Sequence, residues 1–188
     1  ADHVFPRPGM AEYPSCGGGL NLPRVFERQI TWSPTRQGAV VSRRSEYEVE
    51  VYEQGERSRV IRRDLPVREA TSELAITELG EGFRINFGTG PCTIPPQEMV
   101  EKRGHAETVP WISDLISSPS GELWVARKEV GSDAEGATDV FDWTGACVGT
   151  LRPETPFPLL FLDESRFGAV ETDEFDVSRL VIYSLDRK

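Results

Sequence analysis

The chain has 188 residues, enough for one domain with a substantial core. Its 21 basic residues stand against 31 acidic ones, and the net charge of −10 opposes binding to nucleic-acid phosphates or to an anionic membrane surface. The longest mostly apolar run, PFPLLFL at 156–162, falls far short of the roughly 20 residues a membrane-spanning helix needs.

Residues 1–27 carry four prolines and the triplet Gly17-Gly18-Gly19, so they read as an extended N-terminal arm without helix. The opening ADHVF is compatible with cleavage after the small-residue site of a signal peptide, and the expected location is periplasmic or secreted. From about residue 28, QITWSP, GAVVSRR, YEVEVYE and RSRVIRR read as four strands separated by turn signals at Pro34 to Gly38, Arg44-Ser45 and Gln54-Gly55. In the third of these, Tyr47, Val49 and Val51 share one face while Glu46, Glu48, Glu50 and Tyr52 share the other, the pattern of a half-buried antiparallel strand.

An insertion at about 65–108 breaks this rhythm. ATSELAITEL and PPQEMVEKRGHA are short helix candidates, the second opened by Thr93 and two prolines and closed by Gly104, with GFRINFG a strand between them. The four-strand pattern then returns as WISDLISSPSG, ELWVARKE, TDVFDWTG and ACVGTLR. Ser118-Pro119 before Gly121 matches Ser33-Pro34 before Gly38, and Val140-Phe141-Asp142 matches Val51-Tyr52-Glu53. A third copy, PLLFLDES, RFGAVETDE and SRLVIYSLDR, puts Ile182-Tyr183 in the same place and stops after three strands. Phe141 to Tyr183 is 42 residues, within the spacing of about 40–50 seen for four-stranded propeller blades.

The strand from Glu46 to Tyr52, the ending Val60 to Arg63, Leu123 to Val125, Asp139 to Gly145 and Leu180 to Arg187 together resemble the last three blades of bacterial six-bladed β-propeller proteins. The resemblance covers residues 28–187 and implies an all-β fold of three four-stranded antiparallel propeller-like blades, with the helical insertion between the first and second. It says little about activity, because propellers host unrelated functions. A half array leaves two outer sheet faces that a closed ring would bury, with Ile30, Val40, Leu160 and Ile182 among their apolar residues. The third blade also needs a strand at its edge, supplied by HVF at 3–5 or by a partner.

Cys16 and Cys92 both lie in Gly/Pro-rich loops that a disulfide would staple in an oxidising compartment, although an odd set of three also allows three free thiols. Cys147, among strand-like neighbours, is expected to be buried and free. GSDAEGATD places Asp133, Glu135 and Asp139 where oxygen ligands for calcium could alternate, but it lacks the EF-hand order, and a solvated acidic hairpin loop explains it as well. Arg57, Arg59, Arg62, Arg63 and Arg68 form either a basic patch for an acidic partner or, as favoured here, cross-strand pairs with Glu46, Glu48 and Glu50. Of the four tryptophans, Trp124 reads as core and Trp143, at a turn, as the exposed one; with Arg59, Arg62 and Arg63 it is a candidate partner contact.

No cofactor is implied, and no enzyme signature is present: there is no G-x-S-x-G elbow, and His3 and His105 have no recognisable nucleophile beside them. The leading expectation is a non-catalytic interaction module. In that reading the chain is an accessory subunit held against a protein partner or another copy, including the soluble face of a membrane complex such as a respiratory or photosynthetic one. The alternative is a piece of an exported six-bladed propeller hydrolase or carbohydrate-binding protein.

Overall fold

The computed structural model describes residues 10–86, 90–130, 136–152 and 154–185. Strands β1 (Ala11–Tyr13) and β2 (Gly18–Leu20) pair as an antiparallel hairpin. The described part of the expected arm is therefore ordered: Tyr13 is fully buried, and burying one large aromatic outweighs the turn-forming bias of the surrounding Gly and Pro. The expected strand at 3–5 lies outside the described residues.

Next come β3 (Thr31–Pro34), β4 (Gly38–Ser42), β5 (Glu48–Glu53) and β6 (Glu56–Arg62), which form a four-stranded antiparallel sheet in sequence order. Gly38 is required at the start of β4 because a Cβ there would lie 2.1 Å from the Tyr52 carbonyl oxygen. Gln54 and Gly55 both take positive φ, 52° and 86°, which is the hairpin turn whose twist suits the flanking strands.

Helix α1 (Ser72–Leu79) is capped by the Thr71 side chain, which accepts from the Leu74 N–H. Strands β7 (Phe83–Asn86) and β8 (Pro91–Ile94) pair with each other, and helix α2 (Pro96–Arg103) follows. Thr93 lies inside β8 and does not cap α2; the N-cap is Pro95, without a side-chain bond, and a proline at the first helical position compensates through its preset φ.

The second sheet contains β9 (Ile112–Ser117), β10 (Leu123–Arg127), β11 (Thr138–Phe141) and β12 (Cys147–Leu151), again four-stranded and antiparallel, with β12 at one edge. The third contains β13 (Leu160–Phe161), β14 (Arg166–Thr172) and β15 (Ser178–Ser184). Among the described residues it has the three strands that the third copy of the repeat supplies, with β15 last.

The chain divides into two compact units. One gathers residues 10–28, 67–86, 90–109 and Val130, with Val25, Phe26, Ala75, Val100 and Val109 in one cluster and Tyr13, Ile94 and Met99 in another. The other holds the three sheets. Within it, Val40, Val49, Val51 and Ile61 of the first sheet meet Leu115, Leu123, Val125 and Phe141 of the second. The opposite face of the second sheet presents Trp124 and Val140 to Phe167 and Ala169 of the third, with Phe161 and Tyr183 packed beside them. The Trp124 and Phe161 rings meet edge-on at 5.5 Å, a favoured aromatic geometry. Val40, expected on an open face, is thus core: the register pairs it with Val51, and both point at the second sheet.

Candidate functional site

The predicted arginines meet carboxylates at nearly every position. Arg62 Nε donates to Glu48 at 2.6 Å, Arg57 Nη1 to Glu50 at 2.9 Å, and Arg44 Nε bonds Glu48 at 3.0 Å. Arg43 joins Glu50 and the Tyr52 hydroxyl. Glu48 and Glu50 are consequently buried, although strand alternation placed them on the polar face. Burial raises the Glu50 pKa, but the bonds from Arg57 and Arg43 outweigh it and hold the carboxyl below its ordinary range. Of the cross-strand pairs favoured from sequence, Arg62–Glu48 and Arg57–Glu50 form, while Arg59 pairs with Glu53. The face of the first sheet turned away from the second is an Arg/Glu/Tyr layer, with Trp32 at its β3 margin.

Arg63 reaches elsewhere. Its Nη1 donates to Asp139 Oδ1 at 2.5 Å, where Arg127 Nε and Nη2 also donate, at 2.9 and 2.6 Å, and Thr150 Oγ1 donates at 2.6 Å. Asp139 is completely buried. Burial pushes its pKa up, but the bonds from Arg127 and Thr150, with Tyr47 and Arg63 adding to them, bring it down to about 2. A carboxylate occupied by two guanidiniums is not presented to a cation, which removes Asp139 from the calcium expectation. Asp133 and Glu135 lie outside the described residues.

Cys16 and Cys92 are disulfide-bonded, with Cα atoms 5.6 Å apart. Cys147 is free as expected but exposed, contrary to expectation. It opens the edge strand β12, which has a neighbour on one side only and shows almost continuous exposure. The local pattern of small and apolar residues does not reveal that a strand is an edge.

His105 Nδ1 donates to the Ala106 carbonyl at 2.7 Å, leaving Nε2 to accept from Ser72 Oγ at 3.2 Å. The spacing is that of a nucleophile and base, but a backbone carbonyl stands where a carboxylate would stabilise the imidazolium, and Ser72 sits at an exposed helix start. It ties the start of α1 to the segment after α2.

Two surfaces of the three-sheet unit remain. The first is a cleft of about 1060 Å³ lined by the β3–β4, β9–β10 and β11–β12 turns and by the approach to β13. Trp143 lines it, 72% exposed, and Trp32, 62% exposed, borders it from the edge strand β3, where the register sets its side chain on the Glu50 face; Trp124 is core, and Trp111 is half-buried with its Nε1 donating to the Pro66 carbonyl at 3.0 Å. The exposure of Trp143 follows the sequence expectation. That of Trp32 was not legible from its strand context.

The second surface is the face of the third sheet turned away from the second. Registers Leu160↔Gly168, Gly168↔Ile182 and Val170↔Leu180 put Leu160, Val170, Leu180 and Ile182 on one side, all exposed. The repeat makes this meaningful: Val51 and Val140, which occupy the position of Ile182 in the other two sheets, are each 8% exposed, whereas Ile182 is 59% exposed. No helix among the described residues is long and apolar enough to cross a membrane. Compared with known proteins, the chain matches no family model, no curated protein and no solved structure.

Proposed function

We propose that this protein is a non-catalytic interaction module: three propeller-like blades whose third sheet docks against an apolar face of another β-sheet, as an accessory part of a larger assembly. The observation that carries it is the aliphatic face of Leu160, Val170, Leu180 and Ile182, equivalent through the repeat to faces that the first and second sheets bury. Leaving such side chains wet forfeits about 1.5–3 kcal/mol each, a sum comparable with a whole domain's stability. β15 has a strand on one side only among the described residues, and its other side offers backbone hydrogen bonds to a strand.

A head-to-tail ring of two copies is the poorer occupant. It would press the aliphatic face against the Arg/Glu layer of the first sheet, stripping water from Arg57 and Arg62, whose side chains are largely exposed. The covering sheet is therefore one with an apolar face, chemically like the Phe141 or Phe167 face of this chain. A disulfide between Cys16 and Cys92 favours an oxidising location, outside the cytoplasm.

Size-exclusion chromatography of the protein taken from its native source tests the proposal. Elution in a complex well above the 21.0 kDa of one chain, with the β14–β15 amides protected from exchange only in that complex, is expected. Elution as a monomer with the same exchange pattern as the purified chain would overturn it.

A further inference from the structure

We infer that the cleft carrying Trp143 is a binding site for a neutral oligosaccharide, a role that goes beyond the docking face. The first ground is the placement of Trp143. Water-exposed tryptophan costs solubility, yet Trp143 lines the cleft 72% exposed, and Trp32 stands at the cleft's border.

The second ground is preorganisation. Trp143 stands on the β11–β12 turn, which is held from both sides. Asp142 Oδ1 accepts from the Thr144 N–H at 2.9 Å, the Thr144 hydroxyl at 2.6 Å and the Ala146 N–H at 3.0 Å. Gly145, at φ +88°, lets the turn approach β6 so closely that a Cβ there would lie 3.2 Å from Ile61. Arg59 then bridges the strands: Nη1 donates to the Trp143 carbonyl at 2.5 Å and Nη2 to Glu53 at 2.8 Å. A platform fixed in advance loses little entropy when a ring stacks on it.

The third ground is the chemistry of the cleft around Trp143. The cleft combines Pro34, Pro119 and Phe157 with hydrogen-bonding groups such as Gln37, Ser120 and Glu53. Flat apolar surface interleaved with amide, hydroxyl and carboxylate groups suits a ligand that is apolar on its ring faces and hydroxylated at its edges. A net charge of −10 selects against polyanionic chains and leaves neutral sugars favoured.

The experiment is a titration of the full chain with neutral gluco-, xylo- and chito-oligosaccharides, read by tryptophan fluorescence and calorimetry. At least one series is expected to shift the emission. Trp143→Ala should weaken that affinity by about tenfold or more, and Trp32→Ala by a smaller factor. Leu160 borders both surfaces and is left unchanged; Leu180→Glu with Ile182→Glu alters the docking face at positions outside the cleft lining and should leave sugar affinity unchanged, so the two proposals fail independently. No binding at millimolar concentration by any series, wild-type affinity in Trp143→Ala, or binding only of a proline-rich peptide probe would overturn the inference.

Discussion

Asp139 shows how much of this molecule depends on single charged side chains. Its carboxyl titrates near 2 in the folded chain against an ordinary 3.8, because Arg127, Thr150, Tyr47 and Arg63 overcome the upward push of burial. A depressed folded pKa means stability that is complete above the unfolded pKa and lost as pH falls through the folded one. The difference amounts to about 2 kcal/mol, present above pH ~4 and gone near pH ~2. Asp139→Asn is expected to cost about 3 kcal/mol at neutral pH, by leaving two guanidiniums without their counter-charge. Urea unfolding of both proteins across that range checks it: the gap between them should narrow as acid is added, and a constant gap would contradict the assignment. In the sequence Asp139 looked like one more acid in an acidic loop, since nothing local announces that Arg63, 76 positions away, folds onto it.

At the scale of elements, the strand rhythm was legible because turn residues and alternation are local properties. Gln54-Gly55 and Gly38 mark real turns, and both helices fall inside the predicted insertion. What the sequence could not show was what covers each face. Glu48 and Glu50 were read as paired with arginines of the neighbouring strand on a polar face, yet Arg43 and Arg44 join Arg57 and Arg62 and the two carboxylates are buried; Cys147 was read as buried, yet β12 is an edge. The native protein should therefore react with one equivalent of a thiol reagent without denaturant, at Cys147; absence of labelling would count against an exposed β12. The Cys16–Cys92 bond closes a loop across a separation of 76 residues, and in the chain-entropy account such a bond contributes about 4 kcal/mol. Reduction is expected to lower the stability of the unit containing the β1–β2 hairpin, seen as a lower melting temperature and increased exchange of the Tyr13 and Ile94 amides. Unchanged melting after verified reduction would mean that the hairpin is held by packing alone.

For the whole molecule, the candidate site emerges only after folding. The cleft draws on residues 32–37, 114–123, 142–145 and 157–161, segments that no motif links in the sequence. The exposed aliphatic face proposed for docking could be anticipated in part, because Leu160 and Ile182 follow from the repeat, but its extent through Val170 and Leu180 needed the register. Replacing Leu180 and Ile182 together by Glu should leave the melting temperature within a few degrees while abolishing assembly, since exposed aliphatics contribute little to the isolated fold. A collapsed fold in that variant, seen by circular dichroism, would place those side chains in the core instead. The Arg/Glu layer of the first sheet has a further consequence for growth. If both ends of the stack were greasy, identical chains would add one after another without closing, and filaments would form. With one end ionic, an array built through the proposed docking face would have a single sticky terminus: the first sheet would act as a chain stopper, comparable to the polar cap of a solenoid, and would give that assembly a direction.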